Sequence, residues 1–417
     1  MPRFEPFSAV RYSPDRVELA DVVAPPYDVI DADEADRLEG RSPYNVVRVD
    51  LAPRGPDREG DDPGDPDRPY RTAGCRFDEW LAEGILVRDA EPGFYVYRMG
   101  WRGDDGQPRQ TSGVLGVLEL DPDGSGAVLP HERTMAKPMD DRLRLMRACR
   151  ANVSPIWALS LSGGLGDLCQ PTGPPLGRCT DDDGVHHRLW RVTSPAVIEA
   201  VSASVASSPV VIADGHHRYQ TALAYQAEQR AAQGDHPQPA DLVLTYVVEL
   251  AEDELGVRSI HRLLSSLPDE YPLMELLSAS FDLEPAGPPT DALVDRMAEA
   301  GALALVVPGQ SYLLRPLRPK DATSAVGAGT PGAAPTDSER LEAALASAPP
   351  PTTRYHHDVT TVLALVDKGE AQAGILLRPA TVEQIAAAAA AGRRLPEKTS
   401  FFHPKPRTGM VFRLLDR

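Results

Sequence analysis

Within five residues, the stretch Pro209 to Leu223 (PVVIADGHHRYQTAL) holds an aspartate, a glycine, two histidines and an arginine. A short β-branched run stops at Asp214-Gly215 and helix-compatible residues follow at once. The spacing therefore predicts a buried strand turning tightly into a helix. Asp214 can cap that helix, Gly215 permits the turn, and His216, His217 and Arg218 ride on the first helical turn. Free backbone N–H groups, the positive end of the helix dipole and a fixed guanidinium then converge on one point, which suits a phosphate. A strand–helix corner with surface histidines is the plainer account of the same residues.

Three other segments carry chemistry-bearing residues. In Ala24-Pro25-Pro26-Tyr27-Asp28-Val29-Ile30 the two prolines stiffen the entry, so Tyr27 and Asp28 are presented rigidly. Asp28 reads either as a general base or as the cap of a helix starting near Asp31. His131-Glu132-Arg133-Thr134 begins like a zinc-protease motif, but Met135 stands where the second histidine is required, so that reading fails. The Asp140-Asp141-Arg142 helix start behind it offers a carboxylate for water-mediated Mg²⁺ and an arginine for phosphate. Capping and surface ion pairs explain it equally. In Lys398 to Gly409 (KTSFFHPKPRTG), basic and aromatic residues interleave with two prolines; Lys398 or Lys405 could reach over a site, or the segment could simply pack its phenylalanines.

The remaining histidines include the pairs His186-His187 and His356-His357, together with His261, which is expected to face the site. Adjacent histidines chelate poorly, and there is no i, i+4 pair or Cys cluster, so zinc is disfavoured. Walker A, dinucleotide-binding glycine and nucleophile-elbow motifs are absent from the sequence.

These residues must be positioned by a chain of 417 residues, enough for two or three domains. Strand-like runs (Tyr44–Val49, 93–101, 113–120, 156–161, 189–192, 242–250, 303–307, 312–314, 373–378, 409–414) interleave with helix-like ones (72–83, 138–151, 195–204, from His261, 274–277, 291–300, 337–346, 360–368 and the alanine tract 385–391). The expected class is mixed α/β. Pro53 to Pro69 and Pro319 to Pro351 read as an acidic surface insertion and a low-complexity linker. The expected division is 1–160, 161–318, the linker 319–351, and a C-terminal segment 352–417 packing back on the core. A formal net charge of −18 disfavours nucleic acid as partner. Four scattered cysteines read as reduced thiols, and no signal core or membrane-length apolar run is present, so a cytoplasmic location is expected.

Together the motifs Ala24–Ile30, His131-Glu-x-Thr134 with Asp141-Arg142, Asn152-x-Ser-Pro-Ile156, Ala213–Tyr219 and Leu395–Gly409 resemble the domain of unknown function 1015 family over nearly the whole chain. More distantly, Gly215-His-His-Arg218 is similar to the phosphate-binding turn of the ParB/sulfiredoxin-like fold, whose members include ParB nucleotide hydrolases, sulfiredoxin and free serine kinases. His216 stands where sulfiredoxin carries its reactive cysteine, so thiol chemistry is not implied. The ParB-like DNA-binding reading lacks a helix-turn-helix and meets the acidic charge.

The resemblance implies a ParB/sulfiredoxin-like nucleotide-binding core and a nucleotide-dependent phosphotransferase, acting on a small hydroxyl-bearing metabolite in the manner of free serine kinases. Asp214, Gly215, His217, Arg218, Arg142, Lys398 and Lys405 would hold phosphate, and Asp28, Glu132 and His216 would serve catalysis. Asp141 would recruit Mg²⁺, ATP or ADP would be the nucleotide, and Tyr27, His131, Thr134 and His261 would complete the surroundings. The alternative implied is a nucleotide-binding regulator or switch without turnover. The acceptor and the oligomeric state are left open.

Overall fold

The computed structural model describes residues 1–51, 65–103, 106–130, 137–251, 255–268, 271–317 and 334–415. The chain forms two compact units. Among the described residues, one unit comprises those up to Gly256 together with those from Pro404 onward, and the other comprises those from Val257 to His403. The division at 160/161 expected from sequence is replaced by one at 256/257, because residue 160 ends a strand deep inside the first unit's sheet. The last 14 residues return to that first unit.

The first unit is built on a mixed sheet. Its order is Val128–Pro130, Val210–Asp214, Ile156–Ser160, Leu242–Glu249, Pro108–Glu119, Phe94–Arg102, His186–Val192 and Gly177–Thr180. Leu242–Glu249 is almost continuously apolar and sits centrally, parallel to Ile156–Ser160 and antiparallel to Pro108–Glu119. On one face, the helices Pro195–Ala206 and His216–Gln233 bury Val201, Val205, Tyr219 and Ala222 against Val96, Val114, Ile156, Ile212 and Val247. Gly116 is required there: a Cβ at this position would stand 2.5 Å from Phe4 and 2.6 Å from Phe94, whose rings stack at 5.0 Å.

A second core joins the N-terminal segment to the C-terminal tail. Phe412 is fully buried and packs edge-on to Phe77 (5.4 Å) and Tyr12 (5.7 Å). Backbone bridges tie Val10 to Phe412 and Ala24 to Thr408, and Arg413–Leu414 pairs with Ala151–Asn152. The tail is thereby threaded beside Ala24, which precedes the Tyr-Asp motif, and beside Asn152, which precedes Ser154.

The second unit carries an antiparallel sheet in the order Phe281–Gly287, Gln310–Pro316, Leu303–Val307, Ala373–Leu376, His261–Ser265 and Thr352–His356. Alternate residues feed two separate cores. Leu264, Leu303, Leu305 and Ile375 face Leu277 and Leu341, while Leu263, Ala304, Val306 and Leu376 face Met297 and Val362. Both faces are covered, which is why these runs are apolar throughout and do not alternate.

Two local expectations change. Tyr44–Val49 is not a strand: Val47–Asp50 is a short helix whose Val47, Val49 and Asp50 are buried, an environment in which β-branched residues are no guide. His261 opens a strand, not a helix; the Leu-Leu pair that mimics helical spacing is shared between the two cores. Among the described residues no helix is long and apolar enough to cross a membrane, and all four cysteines are free thiols.

Candidate phosphate site

The strand Val210–Asp214 meets the helix His216–Gln233 as its sequence predicts, with Gly215 between them at φ +88°. The pairing register with Ile156–Ser160 slips between Ile212 and Asp214, a bulge that re-aims the aspartate at the strand end. Asp214 does not cap the helix. Gly215 occupies the cap position without a side-chain bond, and the carboxylate is taken by two cations. Oδ2 accepts from Arg218 Nη2 at 2.5 Å, and Oδ1 pairs with the Lys405 ammonium. Arg218 Nη1 also donates to the Pro155 carbonyl and, at 3.4 Å, to Ser154 Oγ. Burial opposes the Asp214 charge, but Lys405 and Arg218 overcome it and hold the carboxyl well below its usual range. His216 adds to that field, and His216 and His217 are half-buried on the first turn.

The Tyr-Asp motif forms a 3-10 turn, Tyr27–Val29, and the helix that follows is capped by Asp31, which accepts from Glu34 N at 2.9 Å. Capping therefore does not employ Asp28, whose side chain is exposed. The Arg142 guanidinium lies over the Tyr27 ring, 4.1 Å from its centre. Burial pushes the Tyr27 hydroxyl up to about 12, against the charges of Arg218 and Arg142. Arg142 is itself buried. Nη1 donates to Asp50 Oδ1 and Nη2 to the Asp50 carbonyl, each at 2.9 Å. Asp50 is 2% exposed, and burial raises its pKa although Arg142 and Arg218 pull the other way. Asp50, Arg142, Asn152, Ser154, Arg218 and Thr221 line one cavity of about 40 Å³, so Arg142, which stacks on Tyr27, and Arg218, which pairs with Asp214, share its wall.

Nine sequence candidates thus lie on the motifs gathered in this unit: Tyr27, Asp28, Arg142, Asp214, Gly215, His216, His217, Arg218 and Lys405. Asp141 has a different occupation. Oδ1 accepts from Tyr70 at 2.7 Å and Oδ2 from Arg142 Nε at 2.7 Å, so a cation there would compete with both. Lys398 and His261 belong to the second unit. His261 is no site-facing residue. It is buried, its Nδ1 accepts from Leu377 N at 3.2 Å, and burial lowers its pKa to about 4. His131, Glu132 and Thr134 lie outside the described residues.

Sequence reasoning overlooked Asp50, the acid that closes the valine-rich segment Val46-Val47-Arg48-Val49. It also overlooked Pro155, whose carbonyl holds the Arg218 guanidinium; the Asn152-x-Ser-Pro-Ile156 motif was the available signal.

No curated protein matches this chain. Among solved structures it is similar to a conserved hypothetical protein from Pyrococcus furiosus, at 12% identity over 72% of this chain and 93% of the other, with a TM-score of 0.37. It is also similar to a free serine kinase in complex with AMP, at 11% identity over 73% and 92%, with a TM-score of 0.40. SbnI with a C-terminal truncation, from Staphylococcus aureus, matches at 11% identity over 70% and 85%, with a TM-score of 0.35. The family model described as protein of unknown function (DUF1015) matches residues 4–341, a span that holds both the Tyr27-Asp28 and the Asp214–Arg218 motifs. By that match the chain belongs to the DUF1015 family.

Proposed function

We propose that this protein binds a nucleotide, ATP or ADP, by its phosphates at the Asp214–Arg218 corner and transfers a phosphoryl group to the hydroxyl of a small metabolite. The observation that carries this reading is the convergence of Arg218 and Lys405 on Asp214 at the start of an 18-residue helix. Two cations against one carboxylate leave a net positive charge, and the helix dipole adds to it. The cations are held in place before any ligand arrives, and phosphoryl transfer rewards such preorganised charge.

In this reading Arg218, Lys405, His217 and the first helical N–H groups grip the phosphates, and Gly215 lets them approach closely. Arg142, paired with Asp50 and Asp141, holds the Tyr27 ring in place. Asp28, exposed beside Tyr27, accepts the proton of the acceptor hydroxyl. His216 is poised near the transferred group; Glu132, a second candidate base, and His131 and Thr134 lie outside the described residues and stay candidates from the sequence alone. The sequence resemblance to free serine kinases supports a small hydroxyl compound as acceptor.

Among the described residues no cluster of three His, Cys, Asp or Glu is suited to a metal, and Asp141 is engaged. Magnesium is bound mainly through substrate phosphates and water in such sites, so it would come with the nucleotide and neutralise phosphate charge when bound.

The test is a ³¹P NMR turnover assay with Mg·ATP or Mg·ADP and a panel of small hydroxyl compounds that includes serine. Product should form with the wild type and vanish in Asp28→Asn, which should still bind nucleotide. Binding without turnover of any acceptor would favour the regulatory switch; no nucleotide binding at all would end both readings.

A further inference from the structure

A second polar network lies wholly inside the first unit, and the proposed chemistry makes no use of it. His187 is completely buried on the strand His186–Val192. Its Nε2 lies 2.9 Å from Asp181 Oδ2, and its Nδ1 lies 2.7 Å from the hydroxyl of buried Tyr97. Both ring nitrogens are therefore committed. An aspartate at Nε2 fixes the proton there, so Nδ1 is the acceptor and the Tyr97 hydroxyl donates to it.

The Tyr97 hydroxyl in turn accepts from Arg407 N at 3.2 Å, and the Arg407 guanidinium returns to the same Asp181 oxygen, with Nε at 3.0 Å. The result is a closed ring of Tyr97, His187, Asp181 and Arg407. Its groups answer one another electrostatically. Burial opposes the Asp181 charge, yet His187 and Arg407 hold that carboxyl well below its usual range, while burial keeps His187 neutral. His186, Cys179, Asp183 (3.6 Å from the Arg407 guanidinium) and Glu34 are further titratable neighbours.

The ring grips the tail two residues after Lys405. One residue further on, Thr408 exchanges both backbone hydrogen bonds with Ala24, at 2.9 and 3.1 Å. Ala24 in turn stands only Pro25 and Pro26 away from Tyr27. The same anchor thus registers the tail that carries Lys405 and the turn that carries Tyr27 and Asp28. Pro404 and Pro406 flank Lys405 and cut the freedom of the span between anchor and ammonium.

We infer that His187 and Asp181 are positioning residues: through Arg407 and Tyr97 they set the tail so that the Lys405 ammonium sits on Asp214, ready for a phosphate. The phosphate half of this inference rests on the proposed function; the placement of Lys405 does not.

Two readouts separate them. The first is the rate of acetylation of Lys405 by acetic anhydride, followed by peptide mass spectrometry on the full chain without nucleotide. Lys405 is 14% exposed and paired, so it should react slowly in the wild type. His187→Leu, which removes both ring nitrogens, should speed its labelling at least fivefold while distant lysines such as Lys368 keep their rates. His187→Gln, which can still donate to Asp181, should restore most of the protection. The second readout is ATP affinity, which should weaken about tenfold in His187→Leu and recover in His187→Gln.

Should His187→Leu fail to fold, Tyr97→Phe removes only the hydroxyl that links His187 to the Arg407 backbone, leaving the Arg407–Asp181 pair, and should raise labelling two- to threefold. Unchanged Lys405 labelling in a folded His187→Leu or Tyr97→Phe protein overturns the inference. Labelling that changes in a protein that binds no ATP upholds the positioning role and removes the nucleotide reading instead.

Discussion

Lys405 and Asp214 are separated by 191 residues and form an ion pair in which both side chains are largely buried. The partner on the other carboxylate oxygen, Arg218, is only four residues from Asp214. One cation of the pair is thus supplied locally by a helical turn and the other by the far end of the chain. Such an arrangement needs the whole first unit to be folded before the anion corner exists.

Gly215 should be irreplaceable for two reasons that add. At φ +88° a side chain costs about 1–2 kcal/mol. In addition, an added Cβ would stand 2.9 Å from Arg218 Nε. Gly215→Ala should lower the melting temperature and abolish phosphate affinity together, as calorimetry and titration would show. Gly215→Asn should recover part of the stability, since asparagine tolerates this backbone region better, but little of the binding.

Breaking the Asp50–Arg142 pair should be costly because both partners are buried. Arg142→Met alone leaves Asp50 as an uncompensated buried charge and should destabilise by about 3–5 kcal/mol. The double variant Asp50→Leu/Arg142→Met should regain most of that loss in urea unfolding. If the single and double variants are equally unstable, the pair is not what holds the Tyr27 turn.

Asp214 supplies a pH dependence whose sign follows from its lowered pKa. The stabilisation is complete above the unfolded carboxylate value, about 3.9, and fades as pH falls through the lower folded value. Asp214→Asn should therefore be less stable at neutral pH. Its stability should also fall less on acidification, so the two curves converge in strong acid.

His261 makes the second unit sensitive to acid at a higher pH than this. Its pKa of about 4 in the fold lies below the free imidazole value of 6.5. Between those values the unfolded chain binds the proton more readily, so stability declines as pH drops through this window, by up to about 3 kcal/mol. His261→Asn, which can still accept from Leu377 N, should flatten that slope in thermal scans from pH 7 to pH 4.

The strand–turn–helix around Gly215 was legible because its signals are local: a β-branched run, a glycine at the turn, then helix formers. The helices expected at 337–346 and 385–391 run over 337–345 and 382–390; each begins at a capping box, on Thr336 and Thr381, a local signal that sequence reasoning did not use. Asp50 and the Asp181–His187–Tyr97–Arg407 ring were not legible, because their partners lie 92 and up to 310 residues away and no spacing rule spans such distances. The domain boundary failed for the same reason. The sequence reads as one C-terminal segment, 352–417, packing back on the core, but no local signal separates the residues up to His403, which stay in the second unit, from those beginning at Pro404, where Phe412 completes a first-unit core begun by Val10 and Tyr12.

The most direct measurement is isothermal titration of Mg·ATP and Mg·ADP into the wild type, Arg218→Ala and Lys405→Ala, each checked for folding by circular dichroism. Charge-assisted contacts of this kind contribute about 1.5–3 kcal/mol, so each variant should bind at least tenfold more weakly than the wild type, more so at low salt. A wild type that binds neither nucleotide, or folded variants that bind as tightly as it does, would contradict the placement of phosphate at this corner.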